Sequence, residues 1–481
     1  MRRRRVTLAG TSVVAVVATA SLLCARDGSA LATSAGPREL FAAVDHVRAQ
    51  QPFSGSLLVV KDGRVFAARA YGFADRTRHR RARLDTRYRI SGLTEAFTWI
   101  ALLQLRDRHL LDLDASVCVY LHPCPRSWRP LTPHLLGPSS GLHALRRIDF
   151  AHWPPTLAQY VRRLRREALY FKPGSQLAYN TSPYFGGESP SILAARLLEI
   201  ISGKPWMTYV RAHILRPAGM TSTRFARSRR DAIGYGRRRD GVIVRLALPQ
   251  PTVSPPVVSG FWSTVGDMAR LDRALQSGKL LSAQSLAELD TPALARDRRR
   301  GRGWNCCWLV TEQFGHRAQV HGAHGSGDGF YSALERYPRD GVVVLVFTNF
   351  GGSGPAFAVA DLAASMALGE YPVPVAVDAT ILRRSTGVFV YRERRGARRF
   401  SARMTLTYSG SGLRVSKASR GFEFLRGPLL SVSDSVFVPR YTPTLRLDFV
   451  RDSAGDAVKV IVRNVNAGWK IEFRYLAGRT A

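Results

Sequence analysis

The sequence is short of lysine, of acidic residues and of long apolar runs, and each shortage excludes something. Of 71 basic residues only seven are lysine, so 71 − 7 = 64 are arginine, set against 35 acidic residues for a net charge of +36. The plain reading is a coding bias toward arginine. The sharper one is a surface that meets polyanions, because so large a charge creates a field of several kT. Apart from residues 6–23, no stretch holds 18 consecutive apolar residues, which excludes a multi-span helical membrane protein. The chain offers no second nucleophile elbow: its G-x-S-x-G pattern, Gly137 to Gly141, places Ser139 and Ser140 where they read as turn residues. It also lacks C-x-x-C spacing, internal repeats and low-complexity linkers.

Cysteine is scarce too, with five residues in 481. Cys118 and Cys124 lie close together, and in an oxidising compartment they are expected to form a disulfide. Cys306 and Cys307 are vicinal; a bridge, two thiols or two small buried residues all fit them. The N-terminus carries a basic start (Arg2 to Arg5), the apolar stretch 6–23 and an A-x-A site at Ala30-Leu31-Ala32. This pattern predicts a signal peptide over 1–32 and an exported protein, periplasmic or extracellular. An uncleaved membrane anchor, or a lipoprotein attached at Cys24, are the alternatives.

What is present is enough chain for two or three domains with a sizeable core. Residues 53–75 alternate polar and apolar around Asp62-Gly63, which predicts a hairpin. The basic run 76–83 reads as a solvated turn. A buried helix is expected to start near Leu93, where Phe97, Ile100, Ala101, Leu102, Leu103 and Leu105 recur at helical spacing. Residues 190–203 read as a second helix, and an amphipathic one should begin near Asp267, an acidic residue suited to a first turn. From 385 to 481 short alternating segments separated by turn residues predict an antiparallel sheet or small barrel. These segments are 400–409, 412–418, 421–427, 435–440, 445–452, 457–465 and 469–476.

Residues 87–98, RYRISGLTEAFT, resemble the F-R-I-G-S-x-T-K-x-F-T segment of the serine β-lactamase and penicillin-binding-protein family. The likeness is to class C β-lactamases and D-alanyl-D-alanine carboxypeptidase-like hydrolases. Tyr88, Arg89, Ile90, Thr94, Phe97 and Thr98 fall in place, while the serine and lysine positions of S-x-x-K are Gly92 and Glu95. Residues 131–142 (LTPHLLGPSSGL) resemble I-R-H-L-L-T-H-T-S-G-L through His134, Leu135, Leu136, Ser140, Gly141 and Leu142, with Ser139 and Ser140 as turn and capping residues. Residues 172–184 resemble P-G-x-x-F-x-Y-S-N-x-G-Y, which makes the Y-x-N motif Tyr179, Asn180 and Thr181. PAGMTSTRF (217–225), SGFWSTVGDMARLDRAL (259–275) and Gly303-Trp304 continue the pattern. In residues 320–349 the H-x-G motif falls on His324 and Ser326 if one residue is deleted, followed by Gly329-Phe330 and Thr348-Asn349.

The resemblance implies an α+β fold, an antiparallel sheet flanked by helices with a helical insert, over residues 36–372. A small C-terminal antiparallel β domain would follow over 378–481. It further implies Tyr179 as general acid or base, and His324 with Ser326 as holders of a substrate carboxylate or oxyanion. No cofactor is expected, and a metal at His321 and His324 has no acidic partner nearby. At position 92 glycine offers no nucleophile. Glu95 reverses the lysine's charge, and two unit charges about 4 Å apart at an effective dielectric near 20 interact by about 4 kcal/mol. Ser91 is one residue off, turned by roughly 100° on a helix. The expectation is therefore a degenerate member that binds a cell-wall peptide, a β-lactam-like ligand, a partner or a polyanion. The alternative is an active hydrolase working through Ser91 or a rearranged site. The charge permits nucleic acid as a partner, but export and the lack of a reader motif argue against it.

Overall fold

The first apolar alternation forms the expected hairpin. In the computed structural model, β1 (Ser54–Lys61) and β2 (Arg64–Tyr71) pair antiparallel on either side of Asp62 and Gly63. Both turn residues have positive φ (50° and 72°), which suits a tight two-residue connection. The structure describes residues 35–477 apart from 51–52, 143–155, 176–188, 226, 239, 248–255, 293, 298–301, 306–307, 325–327, 351–352, 396–397, 411, 420–421, 423–424 and 467–469. The expected signal peptide, Cys306, Cys307, Tyr179, Asn180, Thr181, Tyr184 and Ser326 lie outside the described residues.

Helix α1 (Pro37–Gln50) precedes the hairpin, and a second small hairpin, β3 (Phe73–Asp75) with β4 (Arg80–Arg81), follows it. The basic run forms the largely exposed turn of this hairpin and its short second strand, in keeping with a solvated turn. Next come β5 (Tyr88–Arg89), a 3-10 turn (Ser91–Thr94) and α2 (Glu95–Asp107). The helical portion continues with α3 (Leu157–Leu164), α4 (Ser189–Ser202), α5 (Trp206–Val210) and α6 (Arg216–Ala218). A hairpin of β6 (Tyr235–Arg237) and β7 (Ile243–Arg245) leads to α7 (Pro256–Ser259), β8 (Trp262–Ser263), α8 (Val265–Gln276) and α9 (Ala283–Leu289). The chain returns through β9 (Leu294–Asp297), β10 (Arg302–Trp304), β11 (Leu309–Gln313), β12 (His316–His324), β13 (Tyr331–Tyr337) and β14 (Val342–Phe350), then α10 (Ser353–Leu368).

These strands make one antiparallel sheet in the order β2-β1-β14-β13-β12-β11-β10-β9. Every residue of β14 is buried, as expected for a central strand covered on both faces. One face packs against α2, α4 and α8 through Leu93, Phe97, Ile100, Leu193 and Leu271. The other packs against α1 and α10 through Leu40, Val44, Val344, Val359 and Ala363. Under α10 the second face also holds a buried polar group. The Tyr337 hydroxyl lies 3.0 Å from a Glu335 carboxyl oxygen and 2.7 Å from the Gln313 amide oxygen. Asp361 of α10 stands beside them.

After α11 (Ala379–Arg384), eight strands close into an antiparallel barrel. They are β15 (Gly387–Arg395), β16 (Arg398–Ser409), β17 (Gly412–Ala418), β18 (Gly427–Ser431), β19 (Val436–Pro439), β20 (Leu445–Arg451), β21 (Ala457–Asn464) and β22 (Lys470–Ala477). The alternation marked this domain correctly, with two changes. Residues 387–395 form a strand that the alternating segments did not include. Of the expected strand at 421–427, residues 421, 423 and 424 lie outside the described residues; the described strand begins at Gly427, and Leu425 before it is buried in the barrel core. The barrel docks on the body by stacking Tyr441 on His46 (3.7 Å) and by a hydrogen bond from Tyr371 to the Arg440 carbonyl (2.8 Å).

The expected disulfide between Cys118 and Cys124 is present. Among the described residues, no helix is long and apolar enough to cross a membrane.

Candidate functional site

Two short strands set the floor of the site. β5 pairs with β8, Tyr88 opposite Ser263 and Arg89 opposite Trp262, and each strand runs directly into a helical segment. The register continues where Ile90 donates to the Phe261 carbonyl (3.0 Å) and Phe261 donates to Thr94 Oγ1 (3.3 Å). The Tyr88 phenol is buried against Ser56 (3.1 Å), and burial pushes its pKa up.

Arg89 fastens this floor to the third motif. Its guanidinium is buried, bonds the Ser259 carbonyl and hydroxyl (2.9 Å each) and forms an ion pair with Asp328. Ser332 donates to the Ile90 carbonyl (3.0 Å), so β13 reaches the same turn. A buried arginine is retained only where its charge is paired and its donors are met. The loop before β6 then closes over Asp328 and Gly329. A Cβ on Gly234 would stand 1.8 Å from the Asp328 carbonyl, and one on Gly329 (φ 83°) would stand 2.6 Å from Tyr235 backbone atoms. Only glycine fits such an approach.

Against this frame stands the start of α2. The helix begins through a 3-10 turn over Ser91–Thr94, two residues later than the helix expected near Leu93, and that turn lies against β12. Ser91 is fully buried with φ +49°, and its hydroxyl makes no hydrogen bond among the described residues. Left-handed backbone at a residue other than glycine costs about 1–2 kcal/mol. In the family segment that position carries glycine and the next carries serine; here the order is reversed. Gly92 has no positive φ.

Glu95 sits in the first turn of α2 and accepts a hydrogen bond from the Ser191 hydroxyl of α4. An acidic group at a helix N-terminus is favoured by the helix dipole. A carboxylate therefore suits this position structurally better than a lysine does. Thr98 accepts from the Trp206 indole (2.8 Å), which pins α2 to α5.

The other expected site residues divide. His324 is the last residue of β12, opposite Tyr331, and His321 lies opposite Leu334. His134 takes a different place from the α2 start. It bridges Asp114 (2.9 Å) and Glu288 (2.5 Å) at the mouth of a cavity of about 350 Å³ lined by Trp99, Leu103, Leu113 and Leu135. Ser140 accepts from the Leu142 amide (3.2 Å), the turn role expected of it. Ser191, Ser259 and Asp328 were not singled out in the sequence. Ser191 carries no signal there, whereas Asp328 sits next to the matched Gly329-Phe330.

A family model described as Beta-lactamase matches residues 40–368. The chain is 25% identical over 303 residues to the putative penicillin-binding protein PbpX of Bacillus subtilis (strain 168), covering 62% of this chain and 71% of that protein. Its fold resembles the octameric penicillin-binding protein homologue from Pyrococcus abyssi, with a TM-score of 0.60 and 19% identity over 90% of this chain and 99% of that one. It also resembles a penicillin-binding protein from Bacillus halodurans, with a TM-score of 0.55 and 22% identity over 67% and 98% of the two chains. The first of these structural likenesses extends beyond residue 368 and so takes in part of the barrel. With its sheet order, its β5–α2 frame and a matching family model over most of its length, the chain belongs to the β-lactamase family.

Proposed function

We propose that this protein is an exported, non-hydrolysing member of the family that binds a cell-wall peptide or β-lactam-like fragment without cleaving it. The observation that carries this reading is the start of α2. Glycine stands at the nucleophile position, and the neighbouring Ser91 is fully buried with left-handed backbone. At the lysine position Glu95 is hydrogen-bonded to Ser191, so no amine stands there to take a proton from a serine. Its negative charge also opposes a developing oxyanion. Export rests on the basic and apolar N-terminal segments with the A-x-A site, and on the Cys118–Cys124 bridge.

The test uses a fluorescent penicillin and a chromogenic ester on the purified protein. The expected result is neither covalent labelling nor turnover, with reversible binding of a D-alanyl peptide remaining. Labelling or turnover that vanishes in Ser91→Ala would overturn the reading in favour of a hydrolase acting through Ser91.

A further inference from the structure

The basic surplus is not spread evenly over the sequence, and the fold brings two of its densest runs together. The β3–β4 hairpin packs against residues 230–235, the segment that leads into the β6–β7 hairpin. Ile233 donates to the Ala74 carbonyl (2.8 Å), Arg76 N–H donates to the Tyr235 hydroxyl (2.8 Å), and Arg80 donates to the Arg230 and Asp231 carbonyls (2.9 and 2.8 Å). Tyr235, Arg237 and, across the strand pair, Arg245 lie on one face of the second hairpin, the face whose tyrosine reaches the first.

The acids of this region do not neutralise it. Asp231 is buried and already holds Arg87 (2.7 Å) and Arg224 (3.0 Å). Asp75 is buried behind Tyr235. The two exposed acids, Asp85 and Asp240, are each paired with an arginine, Arg83 and Arg238. Exposed Arg78, Arg81, Arg229, Arg230, Arg237 and Arg245 make no ion pair among the described residues. These six guanidiniums form a basic shelf that no neighbouring acid neutralises among the described residues.

The chemistry of the shelf narrows its partner. Guanidinium groups match phosphate oxygens in a planar two-pronged geometry. A reader of nucleic-acid bases needs an aromatic platform or an element that enters a groove. The Phe73 ring is already covered by Arg81 at 4.5 Å and Arg76 at 5.9 Å, Tyr235 is buried, and no helix belongs to the shelf. The shelf also abuts the candidate site, because the Gly234 backbone is in tight contact with Asp328, the partner of Arg89.

We infer that this shelf binds a linear phosphodiester polymer without bases and leads one strand of it past the β5–α2 frame. This deepens the binding role proposed above and rests on it for the function of the frame, not for the binding itself.

The test titrates the full protein with long-chain inorganic polyphosphate at several salt concentrations. The shelf variant is Arg229→Gln, Arg237→Gln and Arg245→Gln together. The control removes the same charge from exposed barrel positions, Arg403→Gln, Arg446→Gln and Arg474→Gln. Losing three phosphate contacts should weaken binding about tenfold or more and flatten the log–log salt dependence by about 2, with little change in the control. Equal losses in both variants, or no salt-dependent binding, would overturn the inference. So would a charge-matched single-stranded oligonucleotide or phosphatidylglycerol vesicles held more tightly by the same residues, which would assign the shelf to nucleic acid or to a membrane. Penicillin labelling read in parallel separates the two ideas. Labelling sinks the non-hydrolysing function and leaves the shelf standing, whereas loss of the shelf contrast does the reverse.

Discussion

The helices α2 and α8 start from paired strands, β5 and β8, yet they open in opposite ways. α8 opens conventionally. Thr264 is extended (φ −107°, ψ 157°) and its hydroxyl accepts from the Asp267 amide at 3.0 Å. The buried Asp267 carboxylate then accepts from Ser222 N–H (2.9 Å), Thr223 Oγ1 (2.7 Å) and Arg270 (2.5 Å). α2 has no such cap. Thr94 is already helical, its side chain serves Phe261 instead, and the entry runs through a left-handed serine with a hydroxyl unbonded among the described residues. The difference teaches where the fold is optimised for stability and where it keeps a costly geometry. Strained backbone of this kind collects at reactive centres, and here it stands beside Gly92, a residue with no side chain.

The largest test of this contrast is Asp267→Ala. It strands several donors at once and should cost about 3 kcal/mol in denaturant unfolding; a cost near zero would mean that the α8 start is not the stabilised one. Thr264→Ala should cost about 1 kcal/mol by the same measurement, the usual worth of a cap. At α2 the sign reverses. Ser91→Gly should be more stable than Ser91→Ala by about 0.5–1 kcal/mol, since glycine accepts the left-handed backbone but gains entropy when unfolded. If the two are equal, the strain at residue 91 is not real. The smallest effect concerns chemistry: ester turnover of Ser91→Ala should match that of the unmodified protein at background.

Much of the frame was legible because it is local. The hairpin at Asp62-Gly63, the helix carrying Phe97 and Ile100, and the Cys118–Cys124 bridge each depend on residues a few positions apart. The α8 start is legible too: Asp267 lies in its first turn as expected, with the helix opening two residues earlier behind the Thr264 cap. What the sequence could not show is pairing over distance. Arg89 meets Asp328 and Glu95 meets Ser191 only because the sheet and α4 fold back onto the α2 start. The arginine shelf was invisible for the same reason. Residues 76–83 read alone as a solvated turn, and only the contact with 230–245 makes them half of a larger surface.

The polar group under α10 has a consequence for behaviour in acid. The Tyr337 hydroxyl has one hydrogen and two acceptors within reach, so a protonated Glu335 completes the set by donating to the phenol oxygen. Desolvation, and then the nearby Asp361, push Glu335 well above the usual carboxylate range, and desolvation raises Asp361 to about 7. For an acid whose folded pKa is raised, ionisation in the fold is the destabilised state. Its penalty is full above about pH 7 and fades as the pH falls toward about 4, where the unfolded carboxyls also take up protons. Melting curves recorded from pH 8 down to pH 5 should therefore show stability rising in the unmodified protein and rising less in Asp361→Asn, where only Glu335 of the pair still titrates. The rear layer of the sheet is built to hold best in mildly acidic surroundings.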